Sequence, residues 1–117
     1  MAGIGRLEGP DYNRALSFEE FRASLSNSEP PPGLTPALRA LWADGHGDWD
    51  GAHHIAQDIE GPTGAWVHAY LHRKEGDTGN AGYWYRQAGR PAATGALEDE
   101  WAAIAAAMLD ASPDSVG

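Results

Sequence analysis

A chain of 117 residues suits one domain, and 42% hydrophobic residues with five tryptophans can build a core without metals or disulfides. Seventeen acidic residues against eight basic ones give a net charge of −9, the wrong sign for gripping a phosphate backbone. The absence of cysteine excludes a disulfide scaffold, a thiolate zinc site and a thiol nucleophile.

The opening MAGIGRLEGP has no apolar signal-peptide core. No stretch approaches the ~18 consecutive apolar residues of a membrane span. A cytoplasmic protein with no nucleic-acid and no membrane partner is therefore expected. Residues 1–16 show no period and read as an extended arm. Residues 17–111 read as a helical domain, and 112–117 as a tail.

In Ser17-Phe18-Glu19-Glu20 the serine and the second glutamate fit a capping box. With Phe21 and Leu25 at helical spacing, this predicts a first helix over 18–26. Pro30-Pro31-Pro32-Gly33 breaks the chain. Thr35-Pro36 then opens a second helix, with Ala37, Leu38, Leu41 and Trp42 on one face and Gly45 at its end. Asp48 caps a third, with the stripe Trp49, Ala52, Ile55, Ala56 and Ile59. Gly61-Pro62 starts a fourth, running to about Glu75, with Trp66, Val67, Tyr70 and Leu71 on one side. Asp77 caps a fifth, with Ala81, Trp84, Tyr85 and Ala88, which Gly89 and Pro91 end. Thr94 is placed to open the last, lined by Leu97, Trp101, Ile104, Ala105 and Met108. No segment alternates as a strand does. The expected fold is all-α, a compact single domain of five to six short helices. Trp66, Trp84 and Trp101 are expected to be mostly buried and close together.

Trp49, Trp66, Trp84 and Trp101 lie 17, 18 and 17 residues apart, about half of a ~34-residue helix-turn-helix repeat. Within GDTGNAGYWYRQAG, the residues Asp77, Ala81, Trp84, Tyr85 and Ala88 follow D-x3-A-x2-W-Y-x2-A. This resembles the second half of a Sel-type repeat of the tetratricopeptide-like family. The resemblance covers roughly 62–91 and implies one helical hairpin in which small alanines let two helices approach. Ala69-Tyr70 stands where that family favours Leu-Gly, and a single copy is visible, so a hairpin inside one domain is expected rather than a solenoid. The longer string AWVHAYLHRKEGD…NAGYWYR also resembles that of short bacterial and fungal proteins, which implies a compact helical family and supplies no reaction.

All five histidines (46, 53, 54, 68 and 72) fall within residues 46–72. His68 and His72, four apart, share a helix face, as zinc-binding pairs do. His53 and Gln57 repeat that spacing on the preceding helix. If the two helices pack antiparallel, His53 meets the pair, and Asp58 or Glu60 could add a carboxylate. His53, His68 and His72 are thus the candidate metal ligands. A three-ligand zinc site with water in the fourth position would permit metal-assisted hydrolysis. No glutamate follows His68 as in H-E-x-x-H, and the structural alternative is a set of half-buried hydrogen-bonding histidines.

A second constellation is basic and aromatic. Tyr83 points away from the Ala81–Trp84–Ala88 stripe, and Arg86 lies one turn on. Arg73 and Arg90 belong to the same hairpin. Arginine presents a flat fork that suits carboxylates and phosphates. A groove built from His72, Arg73, Tyr83 and Arg86, with His53 and Gln57 nearby, could hold an anionic small molecule or an acidic peptide. The alternative is that these arginines pair with Glu75, Asp77 or the acidic last helix.

Repeat-like hairpins commonly present concave surfaces to peptides. The first expectation is therefore a non-catalytic binding module for a peptide or small anionic ligand, with no cofactor. The histidines support a second, a zinc-binding protein or hydrolase. Exposed aromatics buried against another copy would give a third, a structural homodimer.

Overall fold

A computed structural model describes residues 16–110, which form six α-helices, one short 3-10 turn and, among the described residues, no strand. The helices are α1 (Phe18–Ala23), α2 (Pro36–Gly45), α3 (Trp49–Gln57), α4 (Gly61–Lys74), α5 (Thr78–Ala88) and α6 (Leu97–Asp110). The arm and tail read from the sequence lie outside the described residues, apart from Leu16. No helix among the described residues is long and apolar enough to cross a membrane.

The caps act where the sequence places them. The Ser17 hydroxyl accepts from the Glu20 N–H at 3.0 Å, and the Glu20 carboxylate accepts from the Ser17 N–H at 2.9 Å. Thr35, Asp48 and Asp77 each accept from the N–H three residues on. α1 is shorter than the sequence predicts, because Ser24–Ser26 tightens into a 3-10 turn. There the Ser24 and Ser26 hydroxyls bond back to carbonyls three residues earlier, which competes with the α-helical pattern. α6 begins at Leu97 rather than just after Thr94. Its first turn carries Glu98, Asp99 and Glu100, which favour a helix N-terminus at that point.

α4 is the centre of the fold. Nine consecutive residues, Gly64–His72, are buried, whereas the sequence pattern points to one buried side. α5 makes the most extensive contact with α4, and α2, α3 and α6 pack around it. A helix buried all round must satisfy its polar side chains internally. Tyr70 Oη donates to Asp44 Oδ2 at 2.9 Å, and Lys74 Nζ to Asp44 Oδ1 at 2.8 Å. On another side Glu100 accepts from Tyr85 Oη at 2.6 Å, Arg73 Nη1 at 2.9 Å and Trp66 Nε1 at 3.3 Å. Burial, then the neighbouring carboxylates, push both phenols well above the ordinary tyrosine range, so each stays a donor.

The tryptophans part company. Trp101 stacks on Phe21 at 5.6 Å and donates to the Leu41 carbonyl. Trp66 is buried under the Arg90 guanidinium. Trp84 is only half-buried and stacks on His68 at 4.1 Å. Trp66 and Trp101 belong to one core, against which Trp84 packs half-buried, and each indole has its own ring or polar partner there.

Candidate metal centre

α3 and α4 bring His53, His68 and His72 together. The Asp48 cap fixes the start of α3. The turn between the helices is tight, because Gly61 takes φ +90°, a left-handed conformation that suits glycine. At Gly64 a side chain would run into the Ile59 carbonyl, so α4 lies close against the end of α3. His68 and His72 then stand one turn apart on α4, with rings stacked 4.9 Å between centroids. His53 of α3 meets both edge-on, at 4.7 and 5.1 Å.

The ring nitrogens converge. His53 Nε2 and His68 Nε2 are 3.0 Å apart, and one ligand nitrogen from each of the three histidines lies within 4.8 Å of the others. Tetrahedral zinc with Zn–N bonds of about 2.0–2.1 Å holds its nitrogens about 3.3 Å apart. The longest edge therefore has to close by about 1.5 Å at most, within the reach of side-chain rotation.

Two indoles wall the cluster. Trp49 stacks on His53 at 5.0 Å and is locked by its Nε1 donating to the Leu71 carbonyl at 2.9 Å. Trp84 covers His68. His68 and His72 are each only 7% exposed, and His53 is half-buried. Burial first, then the neighbouring His53 and His72, lower the His68 imidazole to about 4. Burial first, then His72, also lowers His53. Both rings are thus neutral near pH 7, the form with a lone pair to give a metal. Two neutral Nε2 atoms at hydrogen-bond distance share one proton, and for both to bind a cation the ring carrying it has to move it to its Nδ1.

His72 has a further partner. Its Nδ1 lies 2.7 Å from Glu75 Oε2. Sequence reasoning named Asp58 and Glu60 as carboxylate donors and passed over this one. Both of those are outside the cluster: Asp58 ends α3 and Glu60 precedes α4. The signal for Glu75 was its position three residues after His72, one helical turn on. In the sequence Trp49 and Trp84 fall on core stripes, and in the fold they pack against the core and also wall the site.

The members of the basic constellation meet different partners. Arg73 turns to α6, pairs with Glu100 and donates to the Gly95 carbonyl, the pairing with the last helix that the sequence allowed for. Tyr83 is 46% exposed and meets Trp84 edge-on at 5.0 Å. Arg86 is exposed on α5, and Gln57 is exposed at the end of α3. Arg90 lies over Trp66. Of the other histidines, His46 stacks on Trp42 and bonds the Asn27 carbonyl, and His54 is exposed. A cleft of about 450 Å³ lined by Phe18, Leu25, Tyr70, Lys74 and Trp101 lies apart from the histidines. So does a smaller one of about 250 Å³ beside Trp66 and Arg90. No protein-family model, curated protein or solved structure matches this chain.

Proposed function

We propose that this chain is a metal-binding protein that holds zinc through His53, His68 and His72. The observation that carries the reading is the convergence of three imidazoles from two helices, with His53 Nε2 and His68 Nε2 at 3.0 Å and two of the three rings buried. Imidazole suits zinc and its first-row neighbours. Three protein nitrogens leave a fourth position for water, the arrangement of catalytic rather than structural zinc. A water held there would have its pKa lowered towards neutrality, which permits metal-assisted hydrolysis.

The alternative, a module for an anionic ligand, draws on Tyr83 and Arg86 but loses two of its members. Arg73 and His72 each already face a carboxylate. On the zinc reading the α4–α5 pair, similar in sequence to a Sel-type hairpin, is a rigid mount that carries two ligands on α4 and the Trp84 wall on α5.

The test is metal analysis and zinc titration calorimetry on the full chain and on His53→Ala, His68→Ala and His72→Ala. One zinc per chain is expected. Each substitution should weaken binding by at least about 100-fold, since loss of an outer partner alone costs 10–100-fold. Binding that survives all three substitutions, or none in the wild type, would overturn the reading.

A further inference from the structure

This inference rests on the zinc reading and extends it. We propose that Glu75 is the positioning residue of the centre: it holds the His72 proton on Nδ1 and so aims the Nε2 lone pair at the metal position.

A neutral imidazole has one N–H and one lone pair, and the partner of one nitrogen decides the state of the other. An ionised carboxylate can only accept. The 2.7 Å contact between Glu75 Oε2 and His72 Nδ1 therefore puts the proton on Nδ1 and leaves Nε2 free. His53 and His68 lack such a preset. Their Nε2 atoms face each other at 3.0 Å, and the ring that carries the proton there has to shift it to Nδ1 before both can bind a cation through Nε2. His72 is thus the ligand prepared in advance.

The backbone holds Glu75 in place. It is the residue that ends α4, and its N–H bonds the Leu71 carbonyl at 3.2 Å. Gly76 follows at φ +91° and turns the chain into the Asp77 cap of α5. The Glu75 side chain is 37% exposed, and its carboxylate would offset part of the charge of a dication one shell away. Outer carboxylates of this kind fix ring orientation and raise ligand basicity at zinc sites. Asp77 lies close enough to join His72 and Glu75 as a ligand group. Its two oxygens, however, accept from the Asn80 N–H at 3.1 Å and the Asn80 side-chain amide at 3.2 Å. It is committed to the helix cap, which leaves Glu75 as the carboxylate of the centre.

The experiment uses the full chain with zinc alone as the probe. Wild type, Glu75→Ala, Glu75→Gln and His68→Ala are compared by titration calorimetry, by thermal melting without zinc, and by ¹⁵N NMR of the His72 ring. In zinc-free wild type, His72 should be protonated at Nδ1, and Glu75→Ala should release that preference. Zinc affinity should fall about 10–100-fold in Glu75→Ala. It should fall less in Glu75→Gln, whose amide oxygen still accepts from Nδ1 but carries no charge. Stoichiometry stays at one, and melting without zinc stays near wild type. Unchanged affinity in Glu75→Ala would overturn the inference, as would a loss matched by an equal loss of zinc-free stability or a second zinc bound through Glu75 itself. Failure of the underlying reading looks different: wild type binds no zinc, or His68→Ala binds it as well as wild type, and the inference then falls with it.

Discussion

Replacing Glu100 by alanine should cost about 3 kcal/mol of stability and leave zinc binding intact. Glu100 is 7% exposed and accepts from Tyr85, Arg73 and Trp66. Its removal strands a guanidinium whose side chain is only 17% exposed. Breaking a buried ion pair by deleting one partner costs roughly 3–5 kcal/mol. The cleft of about 250 Å³ beside Trp66 and Glu100 can admit water to the orphaned donors, which sets the figure at the lower end. A chain of this length has roughly 6–18 kcal/mol in total, so the variant should still fold. Its melting temperature should drop by roughly 12 °C, at about 4 °C per kcal/mol. Urea denaturation followed by circular dichroism measures the loss. A change under about 1 kcal/mol would mean that Arg73 and Tyr85 are not held by this carboxylate. A fall in zinc affinity matching the fall in stability would mean that this network and the histidine centre are one unit.

Further expectations concern the centre and its supports. The His68 imidazole sits at about 4 in the fold, held down by burial and its two histidine neighbours, against about 6.5 in the unfolded chain. Between those values the unfolded chain binds the proton and the fold does not. Zinc-free stability should therefore fall as pH drops from about 6.5 towards 4, and a His68→Asn variant should show a shallower fall; a slope unchanged in that variant would remove His68 from the account. Gly64→Ala, although alanine favours helices, should cost about 1–3 kcal/mol through overpacking. Its methyl would push the Ile59 carbonyl away and part α3 from α4, so zinc affinity should fall as well; a stabilised variant would refute this. Trp84→Ala should cost about 2 kcal/mol, short of the 3–5 of a fully buried indole, because the ring is half-exposed and covers His68. Chemical denaturation reads both values.

The helix boundaries were the most legible part of the chain. Caps are local chemistry, and Ser17, Thr35, Asp48 and Asp77 announce four of the six helix starts within a few residues. What periodicity could not give was the surroundings of each face. α4 reads as a one-sided helix from Trp66, Val67, Tyr70 and Leu71. It is buried all round because α2, α3, α5 and α6 pack around it, with Asp44 of α2 and Glu100 of α6 accepting from its polar side chains. The pair His68–His72 followed from spacing of four, and His53 from the expectation that α3 and α4 pack together. Glu75 was harder to see, since a carboxylate three residues after a histidine is common on helix surfaces and gains meaning only when the ring is fixed. Arg73 shows the converse. It sits beside His72 in sequence, but adjacent helical residues point about 100° apart, so one faces α3 and the other α6.

The most direct test of the three-histidine centre is X-ray absorption at the zinc edge of the zinc-loaded full chain. The account predicts three imidazole nitrogens at about 2.0–2.1 Å with one further light atom, in four-coordinate geometry. A six-oxygen shell, or the same spectrum from a His53→Ala/His68→Ala double variant, would place the cation on surface carboxylates and contradict it.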